Sequence, residues 1–161
     1  MSPAQRIYWR VAASTGAALL LSVVPLPAAA APWQVAWPQL ILIYWCMALP
    51  HHCGVKYAWA TGLAMDLFHG GIFGQNALFC VMLAYAVIAL HQFMRFLPLA
   101  QQMLFIGLLL LLPTTLSVWL ESVVHGGGVH WTRWGAVVTS MLVWPWVFAV
   151  LRRVRQRVRL S

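Results

Sequence analysis

Two carboxylic acids, Asp66 and Glu121, are all the acidic side chains in this sequence. A pair of carboxylates can cleave a glycosidic bond, one as the acid and the other as base or nucleophile. A lone carboxylate inside an apolar segment can instead relay protons or grip a ligand, and it needs a partner or water to exist there. Asp66 follows Gly62 by four residues and precedes His69 by three and Gly70 by four, so on a helix all four share one face. Flanking glycines let a neighbouring helix approach closely. The spacing supports two readings. In the structural one, Asp66 is a helix-packing node that accepts hydrogen bonds from His69 or from another segment. In the functional one, it is a proton relay or a ligand-binding acid. With no second acid in a comparable setting, the structural role is favoured.

Glu121 stands near the end of an apolar stretch, with His125 and Arg133 in the loop that follows. The plain expectation is an interfacial ion pair that closes a helical hairpin. His51, His52, His69, His91, His125 and His130 form no HExxH pair, so metalloprotease chemistry lacks its ligands. Ser117 and Ser122 have no nucleophile-elbow context. Cys46, Cys53 and Cys80 make no CxxC motif. Cys53 with His51 and His52 offers three adjacent ligands without a second cluster, which falls short of a structural zinc site. Packing as small apolar residues is the simpler role for all three thiols. Gly126, Gly127 and Gly128 read as a flexible turn, because no GK[ST] follows them. No catalytic residue, cofactor or metal is expected.

The elements that hold these residues follow from composition. The chain is 63% hydrophobic and 7% charged, whereas soluble domains carry about 25% charged residues. Too few polar side chains exist to clothe a globule in water, and the expectation is an all-α integral membrane protein. Six apolar segments are expected in one polytopic domain, at about 10–31, 33–50, 57–73, 76–94, 101–123 and 133–151. The first, with its basic start and the alanines at 28–31, also fits a cleavable signal peptide. Further apolar segments follow at once, which favours its retention as a span. The third is short against the roughly 20 residues a helix needs to cross a bilayer. Gly70, Gly71 and Gly74 should break it, and Pro113 should bend the fifth segment.

Loop charges support this division. With both ends of the chain in the cytoplasm, nine of the ten basic residues lie inside and Arg133 alone lies outside. The net charge of +8 is concentrated in a basic tail over 152–161, in Arg152, Arg153, Arg155, Arg157 and Arg159. Placed directly after an apolar span, these arginines point to topology and anionic lipid rather than to nucleic acid.

Several segments carry a family likeness. They are Tyr44-Trp45, Leu49-Pro50-His51, Gly54-Val55, Gly62 with Asp66-Leu67, then Gly70, Gly74 and Ala77-Leu78. Tyr85, Pro98-Leu99, Gln101-Gln102, Trp144-Pro145-Trp146 and the arginine-rich Val154-Arg155-Gln156 tail continue the series. In this order the chain resembles the rod shape-determining MreD family of Gram-negative bacteria. His52 departs from the pattern, where relatives often carry arginine. The resemblance implies a multi-pass inner-membrane protein of the cell-elongation machinery, the elongasome, without enzymatic activity. It implies binding to MreC, and through it a link between cytoplasmic MreB filaments and the peptidoglycan synthase formed by RodA and a class B penicillin-binding protein. It also implies an architecture similar to the S components of energy-coupling factor transporters, six helices around a pocket.

Two functions therefore stand side by side. A scaffold would use Gly62, Asp66, His69, Gly70, Glu121 and Arg133 to hold helices or partners, and the tail arginines to meet lipid or a cytoplasmic partner. A small-molecule binding or transport protein would need a polar pocket, with Asp66, His69, Gln75 and Asn76 as its lining.

Overall fold

The computed structural model describes residues 3–24, 27, 29–69, 74–125 and 131–159. Among these residues run six α-helices and no strand. They are α1 (Pro3–Val23), α2 (Trp37–Ala48), α3 (Val55–His69), α4 (Gln75–Phe96), α5 (Leu99–His125) and α6 (Gly135–Arg159). Short 3-10 turns occupy Ala31–Trp33 and Trp131–Trp134.

Three helices are long and apolar enough to cross a membrane, over Gln75–Phe96, Leu99–Val124 and Gly135–Gln156. At 1.5 Å per residue they extend roughly 33–39 Å, against a hydrocarbon core of about 30 Å. Each turns an apolar stripe outward. On α4 the exposed stripe is Leu78, Met82, Tyr85 and Phe93; on α5 it is Leu104, Leu108, Leu111, Leu112 and Trp119; on α6 it is Val138, Leu142, Trp146 and Val150. Residues three and four apart lie above one another on a helix, so each set forms a continuous band. Bands of this extent are stable against lipid or another protein, not against water.

At the centre sits α2. Every residue from Leu40 to Met47 is buried, and the helix touches α1, α3, α4 and α6. Its LILIYWCM run has no polar face, and a helix apolar all round packs on all sides. The segment expected over 33–50 is helical only over Trp37–Ala48, roughly 18 Å. Pro38 sits in the first turn, where its missing N–H goes unmissed, and Gln34 is extended. The helix α1 ends at Val23 rather than near 31, just ahead of Pro25 and Pro27. Pro113 lies inside α5, which runs on through it as one helix. The tail expected after 151 is instead the continuation of α6 to Arg159.

Polar links tie the helices together. Tyr57 on α3 and Thr15 on α1 share a hydroxyl–hydroxyl hydrogen bond. The Trp45 indole donates to Ser14 Oγ at 2.9 Å, and the Ala36 N–H donates to Ser140 Oγ at 3.0 Å. Arg10 donates to the Val154 carbonyl oxygen at 2.8 Å, joining the start of α1 to the end of α6. Between helices in lipid no hydrophobic force acts, so close packing and bonds of this kind carry the association.

The basic residues gather at one end. Arg10 meets α6 there, Tyr8 meets His52 with tilted rings, and Arg95, Arg152 and Arg155 surround a common cavity. Arg133 lies at the other end, with Glu121.

Candidate functional site

The most extensive contact between any two helices joins α3 to α4, and Asp66 is at its heart. The Asp66 side chain is buried, with the residue only 3% exposed. Its Oδ2 accepts the backbone N–H of Gly74 at 2.9 Å and of Ala77 at 3.4 Å, and its Oδ1 accepts that of Asn76 at 3.1 Å. These are the donors that the first turn of any helix leaves without an internal partner. Gly74, the residue ahead of α4, has φ +92° and no side chain to cap the helix. Asp66 therefore does from the preceding helix what a capping residue usually does from the helix's own start. The positive end of the α4 dipole adds to the attraction. A buried carboxylate is tolerable because charge-assisted bonds replace its water.

Gly62 serves the same junction. A Cβ added there would strike the Ala77 Cα and lie 2.6 Å from both the Ala77 nitrogen and the Asn76 carbonyl oxygen. One turn apart on α3, a glycine admits the α4 backbone and an aspartate bonds to it. His69 takes no part. Its Nδ1 lies 2.9 Å from the Met65 carbonyl oxygen of its own helix, and the residue is exposed. Of the two expected donors, His69 does not bond Asp66 and another segment does, since both carboxylate oxygens face the start of α4. Gly70 and Gly71 lie outside the described residues.

Glu121, near the end of α5, forms an ion pair with Arg133 in the turn before α6. The side chains are 41% and 49% exposed, respectively, and an exposed pair contributes at most about 1 kcal/mol. The two acids thus serve two different helix junctions. Among the described residues no group of three or more His, Cys, Asp and Glu gathers. Cys53 points inward, while His51 and His52 are exposed, so these neighbours diverge. Burial pushes the Cys53 thiol up to about 11, which keeps it protonated and unreactive near neutrality. His130 and the glycines at 126–128 lie outside the described residues, as does the His125 side chain.

Two cavities mark the ends of the bundle. One, of about 340 Å³, lies at the Asp66 end and is lined by polar side chains including Gln34, Gln39, His69, Asn76 and Glu121. Of the four residues expected to line a pocket, His69, Gln75 and Asn76 do so, and Asp66 does not. The other, of about 370 Å³, lies at the basic end and brings Tyr44, Arg95 and Gln102 to Arg152 and Arg155. Arg153 is exposed and lies off this cavity, and the side chains of Arg157 and Arg159 lie outside the described residues. Sequence reasoning named Tyr44 and Gln102 only for the family likeness and assigned neither them nor Arg95 to a site. A signal was available in the phase of α6, where Trp144, Phe148, Arg152 and Arg155 follow one another at helical spacing behind a buried face.

Residues 4–154 match the family model described as rod shape-determining protein MreD. The rod shape-determining protein MreD of Haemophilus influenzae is 30% identical over 143 residues, covering 89% of this chain and 88% of that protein. No solved structure matches the chain.

Proposed function

The chain belongs to the rod shape-determining MreD family, and from that premise we propose that it is a non-enzymatic scaffold of the cell-elongation machinery in the bacterial inner membrane. In this reading it crosses the membrane six times with both ends in the cytoplasm. It binds MreC and helps couple MreB filaments to the lateral-wall synthase of RodA and a class B penicillin-binding protein. The family match over nearly the whole chain carries the proposal. The separation of charge supports the orientation, with a basic end facing the cytoplasm. The use of both acids at helix junctions supports a holding role, because Asp66 is bonded to the start of α4 and Glu121 is paired with Arg133.

The test is replacement of the native protein in a rod-shaped host. The chain should restore rod shape and co-purify with MreC, and Asp66→Leu should lose both. An Asp66→Leu protein that accumulates and captures MreC normally would remove Asp66 from the interface argument. Exchange of Arg152, Arg153, Arg155, Arg157 and Arg159 for glutamine should weaken association with MreB filaments; unchanged association would leave these arginines a lipid role only.

A second reading rests on the polar cavity of about 340 Å³, a volume within the range of small-ligand sites. In it the chain resembles a transporter S component and takes up a small polar molecule in a cavity walled by α2, α3, α4 and α5. Native mass spectrometry of the purified protein separates the two readings, since a retained small ligand favours the second.

A further inference from the structure

The cavity at the basic end opens between α2, α4, α5 and α6. Arg95 comes from the last turn of α4, and Arg152 and Arg155 are one turn apart on α6. Tyr44 on α2 lines the same cavity as Arg152 and Arg155. None of these guanidinium groups meets an acidic side chain of this chain. Asp66 is taken by the first turn of α4, and Glu121 by Arg133, both at the opposite end. The C-terminal ends of α2 and α4 border the cavity, and each contributes about half a negative charge. Three positive charges therefore stand against about one, with Arg155 partly buried and Arg95 and Arg152 exposed at the mouth.

The rest of the wall narrows the choice of anion. Met47, Ala48 and Phe148 are apolar. Gln102 is 4% exposed and donates through Nε2 to the Met94 and Leu97 carbonyl oxygens at 2.8 and 3.2 Å. Those bonds fix which way the amide faces and leave Oε1 buried in the wall with no donor. A ligand complementary to these walls has a phosphate for the arginines, an apolar part for the floor and a hydroxyl for Gln102. Arginine forks match phosphate oxygens in pairs.

We propose that this cavity is a specific site for one anionic phospholipid, its phosphodiester held by Arg95, Arg152 and Arg155 and a headgroup hydroxyl serving Gln102. The site differs from the diffuse attraction between a basic tail and a membrane surface. It requires only that the chain lie in a bilayer, and it is independent of the protein partners proposed above.

The test is native mass spectrometry of delipidated full-length protein titrated with phosphatidylglycerol, with phosphatidylethanolamine and with inorganic phosphate. One phosphatidylglycerol should bind tightly, at least about tenfold more so than phosphatidylethanolamine. The triple variant Arg95→Gln, Arg152→Gln, Arg155→Gln should bind about a hundredfold more weakly. Gln156→Glu, an exposed change at the cavity rim that leaves the packing intact, should weaken binding about tenfold through repulsion alone. The control Lys56→Gln with Arg153→Gln, which removes two charges that are both exposed and off the cavity, should bind as the unaltered protein does. Equal losses in control and triple variant would overturn the proposal, as would full binding by Gln156→Glu. Inorganic phosphate that binds as tightly as the lipid would overturn its assignment to a membrane source.

Discussion

Replacing Asp66 by leucine removes the acceptor for three backbone donors at the start of α4, two at 2.9 and 3.1 Å and one longer at 3.4 Å. A buried donor left without a partner costs about 1–3 kcal/mol. Taking the two short bonds at the lower half of that range and adding the helix-dipole contribution gives about 3–5 kcal/mol. The added leucine returns little of this, because lipid is as apolar as the site it would fill. For a chain of this size the loss corresponds to a drop in melting temperature of roughly 10 °C. Asparagine is the sharper probe. Its oxygen can keep the Gly74 and Ala77 bonds, but its amide group then faces the Asn76 N–H. About half the loss is expected, roughly 5 °C. The assay is thermal unfolding of the detergent-solubilised protein, followed by the monodisperse fraction remaining after heating, with limited proteolysis between α3 and α4 as a second readout. Leucine and asparagine variants that both melt within about 2 °C of the unaltered protein would refute the reasoning.

Other substitutions probe the same frame. Gly62→Val should destabilise the α3–α4 pair by about 1–3 kcal/mol through contact with the Ala77 backbone, and combined with Asp66→Leu the losses should not add; thermal unfolding of the double variant checks both. Glu121→Gln should shift stability by no more than about 1 kcal/mol, and less in high salt, since the Arg133 pair is exposed. Cys53 should resist maleimide in the folded protein, because a thiol raised from 9.0 to about 11 holds about a hundredfold less thiolate at neutral pH. The sign for stability is the reverse of an ion-paired acid. Above pH 9 the unfolded thiol ionises while the folded one stays protonated, so stability should fall as pH rises towards 11. A Cys53→Ala variant should lack that part of the alkaline decline, read by unfolding across the same pH series.

The sequence by itself determined the solvent of this protein and the kind of element it builds. So few charges among so many apolar residues point to helices whose outer faces meet lipid, while hydropathy did not mark that α1 ends at Val23 or that α2 covers only Trp37–Ala48. Gly62 and Asp66, a turn apart in an apolar run, also marked a helix junction. Tertiary structure alone decided what Asp66 bonds to. Its partners are backbone N–H groups at the start of α4, and backbone donors leave no trace in residue identity. It also decided that α2 is the centre of the bundle and that α6 carries Arg152 and Arg155 round to Arg95. Local sequence sets the phase and solvent preference of each helix. Which faces meet depends on how segments dozens of residues apart pack against one another, and no single segment encodes that.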